Sequence, residues 1–153
     1  MLKISKLSDY AVRMACLLAS HADRRVTASW IALELNMSVA TVAKLLGLLK
    51  RAGLLSSTQG ASGGYRLAVV PQEITLASLL ATVEGPPALT ECVQESGHCV
   101  HESDCHMRSH WHYIHDRVWR FLDQITLADL LLDQLPVAVP LSAGLTRGQI
   151  HVK

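Results

Sequence analysis

Apolar residues recur at helical spacing through the first third of the chain. Leu7, Ala11, Met14, Leu17 and Leu18 form one stripe and predict a helix over residues 6–20. Ile31, Ala32 and Leu35 form a shorter stripe and predict a helix over 28–35, capped by Thr27. After a turn at Asn36-Met37, Ser38 can cap a third helix, with Val39, Val42, Leu45, Leu46 and Leu49 inward and Gly53 as its stop. Helix, short helix, tight turn and helix is the helix-turn-helix pattern.

The pattern then changes. Leu54-Leu55-Ser56-Ser57 and Tyr65-Arg66-Leu67-Ala68-Val69 predict two short strands. The glycines of the intervening Thr58-Gln59-Gly60-Ala61-Ser62-Gly63-Gly64 permit positive φ in a turn. A hairpin directly after a helix-turn-helix is a wing. Thr75 caps a fourth helix through about Val83, with Leu76, Leu79 and Leu80 apolar, and Gly85-Pro86-Pro87 ends it. Residues 88–104 have no clean period and predict a loop. From about Asp104 to Gln124 a long helix is predicted, its apolar side marked by Trp111, Ile114, Val118, Phe121, Leu122 and Ile125. At 1.5 Å per residue it would run ~30 Å. Thr126 can cap a last short helix from Leu127 to about Leu135, and the tail from Pro136 has no period, so mobility is expected there.

These elements predict a mainly α fold with a small β-wing. A winged helix-turn-helix domain spans residues 1–84, a loop 85–104, a long helix with a short C-terminal helix 104–135, and a flexible tail 136–153. The apolar stripe of the long helix lacks further helices in the chain to cover it. A copy of itself in a two-fold homodimer is the favoured cover, because paired wings match a two-fold DNA site; packing back on its own winged domain is the alternative.

Composition narrows the function classes. Of 153 residues, 50% are hydrophobic and 18% charged, which excludes a disordered chain. No apolar run approaches the ~20 residues of a membrane span. Met1 to Lys6 lacks the apolar core of a secretory signal, so a cytoplasmic protein without a membrane partner is expected. The net charge of +1 hides an asymmetry: residues 1–66 carry nine Lys/Arg against three Asp/Glu, and residues 67–153 five against ten. A basic first half suggests a nucleic-acid face.

Four cysteines are present. Cys16 lies beside Met14 and Leu17 in the first helix and reads as packing. The other three form Cys92-x6-Cys99-x5-Cys105. Three closely spaced thiols in a cytoplasmic chain favour metal binding or redox sensing over a disulfide framework. Thiolates are soft ligands for iron–sulfur clusters, zinc or Cu(I), and these spacings are looser than the C-x2-C pairs of most structural zinc sites. Among the histidines, His98, His101, His106, His110, His112 and His115 fall in the same region, which keeps a Cys3His zinc site as an alternative.

No catalytic arrangement is present in the sequence. Ser62-Gly63-Gly64 is not a nucleophile elbow, and Gly60 to Gly64 lacks the GK[ST] ending of a phosphate loop. Neither an enzyme nor a small-molecule substrate is expected.

The run Ser5 to Arg13, the Ser38-to-Leu54 helix ending Arg51-Ala52-Gly53-Leu54, the wing Gly60 to Leu67, the three spaced cysteines and Ile125 to Leu130 together resemble the Rrf-type winged-helix regulators. That family includes an iron–sulfur cluster regulator, a nitric-oxide-sensitive repressor and a regulator of a sulfur-mobilisation assembly operon. The resemblance spans residues 1 to about 132. It implies a dimeric, DNA-binding transcription regulator with an iron–sulfur cluster on Cys92, Cys99 and Cys105 plus a fourth ligand. The iron–sulfur cluster regulator places a histidine three residues after the last cysteine, where this chain has Arg108. The nitric-oxide-sensitive branch uses an N-terminal aspartate of the partner subunit, and Asp9 stands at that place. Asp9 and then His106 are the candidates for the fourth ligand, with His101 or His110 behind them, and a [2Fe–2S] cluster is placed ahead of [4Fe–4S]. The resemblance also implies that the third helix enters the major groove. Ser38, Ala40, Thr41, Ala43 and Lys44 would face DNA, with direct readout limited to Thr41 and apolar contact with thymine methyls. Lys44, Lys50 and Arg51 would hold phosphates. Tyr65 and Arg66, with the Gly63-Gly64 backbone of the wing, would meet the minor groove or sugar edge, and Gln59 lies where some relatives carry a wing arginine.

Overall fold

Local capping chemistry sets where most of the helices begin. In the computed structural model, which describes residues 3–60, 62–85, 88–94 and 104–132, α1 (Lys6–Ser20), α2 (Ala28–Glu34) and α3 (Val39–Arg51) start one residue after Ser5, Thr27 and Ser38. Each of those hydroxyls accepts the backbone N–H three residues on, at 3.1, 3.2 and 3.1 Å. Gly53, at φ 77°, ends α3 in the left-handed region. The chain then forms β1 (Leu55–Thr58) and β2 (Gly64–Leu67), an antiparallel pair in which Leu55 faces Leu67 and Thr58 faces Gly64. A 3-10 turn (Pro71–Glu73) leads into α4 (Leu76–Glu84), followed by α5 (Glu91–Gln94), α6 (Arg108–Asp123) and α7 (Leu127–Leu130). No single helix among the described residues is long and apolar enough to cross a membrane.

The core lies between α1, α3 and α4. Ala11, Met14, Leu18, Ile31, Val42, Leu45, Leu46, Leu49, Ile74, Leu79 and Leu127 are buried there. These are largely the residues whose spacing predicts the helices. The wing joins this body through Val26, just ahead of α2, which exchanges both backbone hydrogen bonds with Tyr65 at 3.0 and 2.8 Å.

The structure departs from the expected elements in four places. Glu91–Gln94 is a short helix inside the stretch expected to be loop; one turn is too short to show a period. The long helix starts at Arg108 instead of Asp104. An Arg108 N–H to Cys105 carbonyl bond of 3.2 Å closes a tight turn ahead of it, and Met107 supplies no side-chain cap. The last helix ends at Leu130 instead of Leu135. Val39, expected to face inward, is 52% exposed. The expected tail, 136–153, lies outside the described residues.

The stripe of α6 divides. Val118, Leu122 and Ile125 are half-buried, with α6 packed on α4, whereas Trp111, Ile114 and Phe121 are exposed. α4 is held at both ends. At its start, Thr75 pairs with Thr126 and its hydroxyl donates to Asp123 of α6 at 2.8 Å. At its end, the Glu84 carboxylate accepts from the hydroxyls of Ser5, the cap of α1, and Ser8 in its first turn. Those hydroxyls, Ser5 first, hold the Glu84 carboxyl below its ordinary value of 4.5.

A depressed folded-state pKa contributes stability above the unfolded value, and that contribution is lost as pH falls through the folded value. Glu84→Gln is therefore expected to cost on the order of a few tenths of a kcal/mol at neutral pH, the size usual for an exposed charged contact. The difference from the parent should shrink as pH drops below 4.5 in denaturant titrations. An undiminished difference in acid would mean that the ionised carboxylate is not the source.

Candidate nucleic-acid interface and thiol set

α3 has two unlike faces. Val42, Leu45, Leu46 and Leu49 are fully buried, and Val39, Ala40, Ala43, Lys44, Lys50 and Arg51 lie on the exposed side. Ser38 is exposed and Thr41 half-buried; their hydroxyl oxygens are 2.8 Å apart while Ser38 Oγ also accepts the Thr41 N–H. The expected contact residues of α3 therefore share one surface, with Lys50 and Arg51 at its C-terminal end. Position N1 explains the exposure of Val39, because a side chain there leans past the helix start.

In the wing, Gln59 and Arg66 are exposed, and Gly63 and Gly64 are half-buried. A Cβ on Gly63 would stand 2.3 Å from the Thr58 carbonyl oxygen, and one on Gly64 2.7 Å from that of Val26. Both glycines are thus needed for the tight return of the hairpin. Tyr65, expected at the minor groove, packs against the core and joins the wing to Val26 through its backbone.

Two arginines escaped the sequence reading. Arg25 donates to the Gly64 carbonyl at 3.5 Å, and the Arg24 guanidinium lies 4.7 Å from the centre of the Trp30 ring. They extend the basic surface beside the wing. The signal available for them was the Arg-Arg pair immediately before Val26, but the pairing of Val26 with the wing is a single bridge with no period of its own.

The thiols occupy a different region. Cys92 lies on α5, only 8% exposed, with its sulfur 3.2 Å from the Thr90 hydroxyl. Cys105 is half-buried, three residues ahead of α6, and α5 packs against α6. Both are free thiols. Cys16 is also free, half-buried in α1, and burial pushes its thiol pKa up, away from the thiolate that metals require. Asp9 is exposed in the first turn of α1. His106 is exposed in the turn before α6, and its carbonyl lies 3.2 Å from Nδ1 of His110. Cys99, His98 and His101 lie outside the described residues. Among the described residues, no three His, Cys, Asp or Glu side chains come together as a ligand group. Cys92 on α5 and Cys105 ahead of α6 nonetheless have the donor chemistry that a soft metal centre needs.

The chain is similar to known proteins over most of its length. Residues 4–133 match the model of a family described as Rrf2, iron-dependent transcriptional regulator. Protein rrf2 of Nitratidesulfovibrio vulgaris is 33% identical over 133 residues, covering 86% of this chain and 89% of that one. The HTH-type transcriptional regulator IscR of Aliivibrio salmonicida is 30% identical, covering 86% and 79%. Among solved structures, CymR, the global cysteine regulator of B. subtilis, is 32% identical with a TM-score of 0.66, covering 86% and 97%.

Proposed function

Because the chain belongs to the Rrf2 family of winged-helix transcriptional regulators, we propose that it is a cytoplasmic, homodimeric regulator whose hold on DNA depends on an iron–sulfur cluster. DNA-binding regulation is the family's work, and the protein is not an enzyme. The observation that carries the finer reading is the pair of free thiols, Cys92 on α5 and Cys105 just ahead of α6, which packs on α5, with Cys99 between them in sequence. Three thiolates are a soft donor set, and the family's description as iron-dependent agrees with it. Asp9 or His106 is the proposed fourth ligand, and [2Fe–2S] is placed ahead of [4Fe–4S].

When bound, the cluster supplies a tie between its ligands that iron supply and oxidants can make or break. The chain's own residues do the rest. Lys44, Lys50 and Arg51 neutralise phosphates, Ser38 and Thr41 hold the start of α3 in register, and Gln59, Gly63, Gly64, Tyr65 and Arg66 present the wing to the minor groove or sugar edge. α4, tied to α6 by Thr75 and to α1 by Glu84, connects the thiol region to the winged domain. A second copy covering Trp111, Ile114 and Phe121 would set the spacing of two recognition helices. Genes for iron–sulfur cluster assembly are the proposed targets, with iron or oxidative stress as the signal.

The test is protein purified without air, measured for visible absorbance, iron, sulfide and zinc, then titrated onto duplex DNA at several salt concentrations. A brown protein with matched iron and sulfide is expected. Three phosphate contacts per subunit should give a log–log salt slope of about −3 for each subunit bound. A colourless, zinc-loaded protein would leave the winged fold standing and remove the cluster. A cluster that releases DNA only on nitric-oxide treatment would redirect the signal.

A further inference from the structure

The outward start of α3 carries few side chains that can hydrogen-bond. Val39 is 52% exposed, and exposed Ala40 and Ala43 bring neither donor nor acceptor. The hydroxyls of Ser38 and Thr41 are engaged with each other at 2.8 Å, and Ser38 Oγ also caps the helix. Turning Ser38 towards a base edge would disturb that cap, and turning Thr41 would break its bond to Ser38. Lys44, one turn further on, and Lys50 and Arg51 make this surface complementary to a polyanion. In the major groove the apolar group a base pair presents is the C5-methyl of thymine.

Resting on the DNA-binding reading above, we infer that Val39 is a specificity-determining residue that reads thymine by packing its isopropyl group on the C5-methyl. Methyl contacts from α3, not its hydrogen bonds, set base preference at that position. Lys44 and the basic residues beyond it supply affinity that is indifferent to sequence.

The experiment selects duplexes from a random pool with the full chain in its loaded form, then remakes the enriched duplex with deoxyuridine in place of thymine. Deoxyuridine keeps every base-pair hydrogen bond and removes only the methyl. Affinity is expected to fall about fourfold for each methyl contacted, the equivalent of ~0.8 kcal/mol per buried carbon at 1.4 kcal/mol per decade. The salt slope should stay unchanged. Val39→Ser, at a position whose exposure leaves the core intact, should bind thymine and deoxyuridine duplexes alike. Equal binding of the two duplexes by the parent chain overturns the inference, as does a Val39→Ser variant that discriminates as well as the parent. Failure to bind any duplex at low salt removes the DNA-binding reading itself, a result distinct from binding that ignores the methyl.

Discussion

Gly64→Ala is expected to destabilise the protein by about 2–3 kcal/mol and to weaken duplex binding at least tenfold, as a strained backbone and a displaced wing together require. Gly64 holds φ at 144°, where side chains carry a penalty. The added Cβ would stand 2.7, 3.0 and 3.2 Å from the O, C and N atoms of Val26. All three are backbone atoms and cannot swing aside. Relief requires Val26 and the wing to part, lengthening the Val26–Tyr65 bonds of 3.0 and 2.8 Å that join the hairpin to the body. The measurement is urea denaturation with amide exchange at Val26 and Tyr65, both of which should lose protection. Gly60→Ala is the control: its φ of 107° is strained too, but its Cβ would meet nothing within 4 Å. It should cost only about 1 kcal/mol, from backbone strain alone. Equal stabilities for the two variants would show that contact with Val26 does not hold the wing.

That contact marks the boundary of what sequence reading reaches here. α1 and α3 were legible because each repeats a buried stripe over several turns behind a hydroxyl cap, so many residues vote for one assignment. The wing was legible from its glycine-rich turn between two short runs, to within one residue at each end of β1 and two residues at the end of β2. Val26–Tyr65 is one residue pairing with one residue 39 positions away, and leaves no periodic trace. The Ser5–Ser8–Glu84 contact spans 79 and 76 positions and is equally silent. For α6 the stripe was read correctly as apolar but not resolved into its two neighbouring faces. Only the packed structure separates Val118 and Leu122, beside α4, from the uncovered Trp111, Ile114 and Phe121. The exposed side of α3 was mostly legible because the buried side of a helix defines the other side. Val39 was the exception, since at the first helical position period alone does not settle which way a side chain lies.

The thiols were found by chemistry and spacing, and their replacement should have the largest functional effect. Cys92→Ser and Cys105→Ser are each expected to reduce bound iron and sulfide to background in protein prepared without air, and Cys99→Ser should do the same. Serine matches the shape of the thiol and keeps a hydroxyl for Thr90, whose oxygen lies 3.2 Å from the Cys92 sulfur, so helical content should be retained. A hard alcohol oxygen is a poor replacement for a soft thiolate. Cys16→Ser sits in α1, where burial already disfavours the thiolate, and should leave iron loading unchanged. Duplex affinity supplies the second readout. The parent chain should change its affinity when iron is stripped by a chelator, tenfold for each 1.4 kcal/mol by which the cluster favours one arrangement over another. The Cys92 and Cys105 variants should show one affinity with or without chelator. Asp9→Ala and His106→Ala then divide the fourth position, since only the true ligand should lower iron retention when replaced. Variants of Cys92 and Cys105 that load iron as the parent does would rule these thiols out as ligands, and loss of iron without any change in DNA affinity would separate the cluster from control of transcription.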